Sequence, residues 1–116
     1  MNIKIEEILI ESAKIYNRVW REKLKGRDWD EIDINEEYAI DKEAFNKIRE
    51  FLEDKIGLSP DDYEFCTVYC NCSEIPFPRD EKRIGLGTMA GRGVDCPGLK
   101  IKVNGKEYSV CLCCGR

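Results

Sequence analysis

Seven cysteines, Cys66, Cys70, Cys72, Cys96, Cys111, Cys113 and Cys114, crowd the second half of a 116-residue chain that contains no histidine. That pairing of an abundance and an absence narrows the chemistry. A cysteine nucleophile ordinarily works beside a histidine base, and without one it needs a lysine, an arginine or a helix N-terminus to lower its pKa. No cysteine is singled out in that way, so the sequence nominates no catalytic residue and leans away from an enzyme. Thiolates are also ligands for soft metal ions, and thiols that stay reduced in a reducing compartment point to a metal before a disulfide framework. Disulfides stay open as an alternative, because the chain lacks glutamine and is rich in Lys, Glu and Ile, a hyperthermophile bias under which intracellular disulfides occur.

The spacing supplies candidate ligands. Cys111-Leu112-Cys113-Cys114-Gly115 contains Cys-x-x-Cys-Gly after a strand pattern, and resembles a zinc knuckle. Two thiolates at that spacing reach one ion, and the glycine lets the backbone turn so that its N–H groups face sulfur. Upstream, Cys66-Thr67-Val68-Tyr69-Cys70-Asn71-Cys72 ends a second strand pattern, and alternation along an extended strand puts Cys66, Cys70 and Cys72 on one face. Two such clusters joined by a sheet resemble the four-thiolate site of zinc ribbons. The expected ligands are Cys70, Cys72, Cys111 and Cys114 around one zinc ion, with Cys66, Cys96 and Cys113 in reserve. The upstream cluster departs from the ribbon spacing, so the resemblance is to a type of site.

Three other readings use the same sulfurs. Seven cysteines exceed what one zinc ion needs, and Cys96-Pro97 resembles a ligand context of ferredoxins, which makes an iron-sulfur cluster the alternative cofactor. The stretch from Cys66 to Cys72 resembles the Cys-Thr-Leu-Cys-Ser-Cys claw of nitrile hydratases with one residue inserted, and that insertion changes which amides can reach a metal. A thiol redox or sulfur-handling protein would draw on Cys113-Cys114 or on Cys70 and Cys72.

The net charge of −4 conceals an asymmetry. Residues 1–64 carry 11 basic and 18 acidic side chains, residues 65–116 carry 8 and 5, so the halves stand near −7 and +3. Arg79, Arg83 and Arg92, with Lys82, Lys100 and Lys102, fall in or beside a Gly- and Pro-rich stretch from 73 to 98, and form the candidate anion-binding set. Gly85-Leu86-Gly87-Thr88-Met89-Ala90-Gly91-Arg92-Gly93 lacks the strand-then-helix context of a dinucleotide loop and reads as a connector. Because the whole chain is acidic, a protein partner is expected ahead of nucleic acid through the 79–102 loop.

These residues need elements to position them. Ile8, Leu9, Ala13, Tyr16, Val19, Trp20 and Leu24 recur at three- and four-residue steps from Ile5 to a stop at Gly26, an amphipathic helix. A second helix is expected from a cap at Asp41 to Gly57, with Phe45, Ile48, Phe51, Leu52 and Ile56 on its apolar face. The acidic stretch 27–38 between them reads as a packed connector with a solvated face, since its spacing fits no calcium loop. Ser59-Pro60-Asp61-Asp62 reads as a capped turn, Phe65 to Tyr69 as a strand, and 73–98 as a long loop. Leu99 to Val103, Asn104-Gly105 and Lys106 to Val110 form a hairpin.

The fold class that follows is α+β: two amphipathic helices packed on a small antiparallel sheet, with a cysteine-rich, zinc-ribbon-like C-terminal half. The expected division is a helical half, 1–64, and a metal-binding half, 65–116, in one compact domain. The N-terminus has no apolar run of signal-peptide type and no run of eighteen apolar residues exists, so a cytoplasmic location and no membrane partner are expected.

Overall fold

In the structure, a computed structural model, residues 5–27, 29–70 and 94–115 are described. Helix α1 spans Ile5–Leu24 and helix α2 spans Ile34–Glu50, running on through a π turn at Phe51–Ile56. Strands β1 (Tyr63–Cys70), β2 (Val94–Val103) and β3 (Lys106–Cys111) form an antiparallel sheet in the order β1-β2-β3. The α+β class and the sheet direction are those read from the sequence. Among the described residues no helix is long and apolar enough to cross a membrane.

α1 ends as its glycine predicts, with Gly26 at φ +80° and Arg27 N–H donating to the Leu24 carbonyl. α2 begins earlier than expected. Its N-cap is Asp33, whose carboxylate accepts from Glu36 N–H at 2.8 Å, and its first turn holds Glu36 and Glu37, where carboxylates complement the helix dipole. Half of the supposed connector is therefore helix, and Asp41 lies inside it. The Asp41 carboxylate instead accepts from Tyr16 Oη at 2.7 Å and Trp20 Nε1 at 2.9 Å, which ties α2 to α1. Burial and the neighbouring Asp41 push the Tyr16 phenol well above its ordinary pKa, so it stays a neutral donor. The C-terminal end of the second helix falls where the sequence puts it, at Gly57 with φ +89°.

The core lies between the helices and one face of the sheet. Ile8, Tyr16, Trp20, Ile48 and Leu52 bury against Tyr63, Leu99, Ile101, Val110 and Leu112. Phe45 bridges the layers, with its ring 4.6 Å from Phe65 and 6.0 Å from Tyr16 between centroids. Leu52 is fully buried where the α-helix gives way to the π turn. Leu52→Ala is expected to cost about 2–5 kcal/mol, read as a lower denaturant midpoint. An unchanged midpoint would mean that the helix face is wrongly assigned.

The hairpin forms as the turn pair dictates. Asn104 and Gly105 both have positive φ, 52° and 79°, the combination a two-residue type I′ turn requires. Ser59 and Asp62 form the capping box of the short turn at Pro60–Asp62. The expected loop 73–98 needs correction at its end, because residues 94–98 belong to β2, the central strand. Proline is rare in such a place, and the register explains it. The Pro97 carbonyl accepts from Leu112 N–H at 3.0 Å, and in an antiparallel strand a residue's N–H and C=O point to the same side. The missing N–H of Pro97 thus faces the knuckle, past the last β2–β3 pair at Gly98 and Cys111, and no β1–β2 bond is lost.

Candidate metal centre

Side chains alternate along a strand, so the residues that face the helices decide where the cysteines go. Tyr63 and Phe65 on β1, Leu99 and Ile101 on β2, and Val110 on β3 join the helical core. Cys66, Val68, Cys70, Cys96, Gly98 and Cys111 then share the opposite face. The register sets Val68 beside Cys96, and Cys66, Gly98 and Cys111 in one row across the three strands. After Cys111 the chain turns at once. Gly115, at φ +78°, donates its N–H to the Cys111 carbonyl at 2.7 Å, and the turn carries Cys113 and Cys114 back toward the sheet.

The turn is fastened from the other side by a residue the sequence reading passed over. Asn17 of α1 is fully buried, and its side-chain amide donates to the carbonyls of Leu112 at 2.9 Å and Cys113 at 3.2 Å, and to Ala13 of its own helix at 2.8 Å. A buried amide in the middle of an apolar stripe is a signal that was present in the sequence, since such a group persists only with partners.

The result is a cluster of sulfurs. Cys70, Cys111 and Cys114 place their Sγ atoms within 4.8 Å of one another, with Cys70 and Cys114 3.5 Å apart. Cys96, Cys111 and Cys113 form a second group within the same limit. Cys70, Cys96, Cys111 and Cys114 are 9, 5, 2 and 1% exposed, and Val68 and Cys113 pack against them. All five, and Cys66, stand as thiols. Three thiols within this radius can hold a metal ion. A tetrahedral ion with metal–sulfur bonds of about 2.3 Å sets its sulfurs roughly 3.8 Å apart, close to the Cys70–Cys114 separation.

Without a cation the surroundings of Cys111 favour its neutral thiol. The Cys111 thiol is pushed far above the ordinary range by its hydrogen bond with Cys113 and further by burial, while the hydrogen bond with Cys114 opposes the shift. Burial also raises Cys66. Deprotonating such a group at neutral pH needs a positive charge close to the sulfur, and a bound metal ion supplies it.

Of the four ligands expected from sequence, Cys70, Cys111 and Cys114 are brought together, and Cys72 lies outside the described residues. Among the reserves, Cys96 and Cys113 join through Cys111, whereas Cys66 belongs to neither group. Arg79, Arg83 and Arg92 also lie outside the described residues. Lys100, a described member of the basic stretch, sits 3.6 Å from Glu64 and 3.7 Å from Glu107.

Gly98 is part of the site's construction. A Cβ there would stand 2.5 Å from Val68 Cγ1 and 3.1 Å from the Val110 carbonyl oxygen. Glycine lets Val68 lie over β2, where it covers the thiol cluster. Gly98→Ala should displace Val68 and cost about 1–3 kcal/mol of stability by overpacking. A variant with the wild-type unfolding midpoint would contradict that close approach.

Compared with family models, with curated proteins and with solved structures, the chain matches none.

Proposed function

We propose that the chain is a small metal-binding protein in which a structural zinc ion fixes the C-terminal turn to the sheet, and that the folded unit serves as an interaction module. The observation that carries this reading is the convergence of the buried sulfurs of Cys70, Cys111 and Cys114 from a strand end and a Cys-x-x-Cys-Gly turn. Cys72, assigned from sequence alone, is the proposed fourth ligand. Zinc is preferred to an iron-sulfur cluster because the sulfurs lie at single-ion separation. A four-iron cluster takes one thiolate per iron, so its ligands stand apart by the width of the cluster. The zinc-ribbon-like character stays at the level of the site: two clusters from different strand ends, one of them a knuckle. A redox protein is the second reading, favoured by the 3.5 Å approach of Cys70 and Cys114, which oxidation can close to a disulfide.

The partner is proposed to be another protein. The chain is acidic overall, and Lys100, on β2 at the end of the basic stretch, already faces two carboxylates. Nucleic acid docking through the basic stretch 79–102 predicts binding that weakens steeply with salt and is lost in Arg83→Glu with Arg92→Glu. An affinity untouched by that double substitution would remove the basic stretch as the docking site, and no binding at all favours the protein partner.

Elemental analysis of anaerobically purified protein, with its absorption spectrum, tests the metal reading. A colourless protein containing zinc is expected. A brown protein with a broad band at about 400 nm would replace zinc by an iron-sulfur cluster. Cysteines recovered as disulfide pairs without metal would put the redox reading first.

A further inference from the structure

The described thiols do not form one group of four. They form two groups of three that meet at one sulfur: Cys70, Cys111 and Cys114 on one side, Cys96, Cys111 and Cys113 on the other. We infer that Cys96, Cys111 and Cys113 are a second metal subsite, and that the Cys111 thiolate bridges two soft divalent ions. This rests on the metal-binding reading above and extends it from one ion to two.

Three observations support the pairing. Cys111 is 2% exposed and is the member common to both groups, which puts it where a bridging ligand has to be. A thiolate has lone pairs enough to bind two cations. Cys96 and Cys113 also come from different elements: Cys96 from the start of β2, beside Val68, and Cys113 from the knuckle turn that Asn17 holds by its carbonyl. Cys113 is close to Cys111 in sequence, but the approach of Cys96 to the same sulfur is made by the sheet alone.

Charge is the third support. One divalent ion on the thiolates of Cys70, Cys111 and Cys114 leaves that group with a net charge of −1. A second divalent ion brings two positive charges and recruits two further thiolates, Cys96 and Cys113, so the five described sulfurs keep the same −1, and Cys72 as a ligand of the first ion lowers both states equally. Each of the two thiols loses its proton to solvent as the ion binds, and no electron is transferred. The second ion thus enters a buried place without adding net charge to it, which avoids the main cost of burying ions. The same balance accounts for cysteines beyond the four that one zinc ion uses.

The test is cadmium exchange into the purified full-length protein under reducing conditions, followed by native mass spectrometry and ¹¹³Cd NMR. Two cadmium ions per chain are expected, giving two resonances split by scalar coupling through the shared sulfur. Cys113→Ser, in the less buried position, should lower the count from two to one and collapse the splitting. Cys96→Ser should do the same, and it keeps the test open if the knuckle variant does not fold. One ion in the wild type would overturn the second subsite and leave the single-ion reading intact. Two uncoupled resonances, or two ions retained by both variants, would also overturn it. No bound cadmium at all would remove the metal reading together with the inference.

Discussion

Cys114→Ser is expected to release the metal and with it the cooperative unfolding transition. The buried Leu112 side chain, its N–H bond to the Pro97 carbonyl and the Asn17 bonds hold the start of the C-terminal turn, and metal ligation would fix the two cysteines that follow. Cys114 is almost wholly buried and lies 3.5 Å from Cys70 on a different strand. A structural zinc site contributes on the order of 10 kcal/mol or more of binding free energy to the folded state, which matches or exceeds the whole stability of a typical domain. Loss of one thiolate removes much of that and leaves other buried thiols without a cation. Chelation of the wild-type protein should reproduce the effect. A Cys114→Ser protein that keeps its metal content and its denaturant transition would show that this sulfur is not a ligand.

The second large effect is expected at a residue that touches no metal. Asn17→Leu keeps the branched heavy-atom skeleton and removes the amide, which leaves the buried carbonyls of Leu112 and Cys113 without that donor. Each carbonyl left unsatisfied costs about 1–3 kcal/mol, so a loss of about 2–6 kcal/mol is expected in the metal-loaded protein. The same bonds fix the direction of the knuckle, and groups that orient ligands in this way typically affect metal affinity about 10–100-fold. Competition with a chromophoric chelator separates the two contributions. Unaltered metal affinity together with lowered stability would assign Asn17 to the core alone, and no change in either would contradict its role.

What was legible in the sequence follows from how local each signal is. The hairpin was legible because Asn104-Gly105 states its own turn, and α1 because its apolar period is unbroken up to Gly26. The start of α2 was misplaced although Asp33 and Glu36 stand at capping distance, because Asp41 offered a second cap directly before an apolar run. Tertiary packing decided between them: Asp41 is taken up by Tyr16 and Trp20, a pairing that no local pattern announces. The cluster that includes Cys70, Cys111 and Cys114 drew on two legible strand ends. The place of Cys96 on a strand was hidden because Pro97 and Gly98 read as loop residues, and only the register shows why β2 accepts both: Pro97 faces the knuckle with its missing N–H, and Gly98 makes room for Val68.

X-ray absorption at the zinc edge of the purified protein measures the central claim most directly. A first shell of sulfur alone at about 2.3 Å, with no nitrogen or oxygen, is the result predicted for zinc held by these cysteines. A first shell of oxygen or nitrogen would contradict it, because the ion would then sit away from the sheet face where the thiols meet.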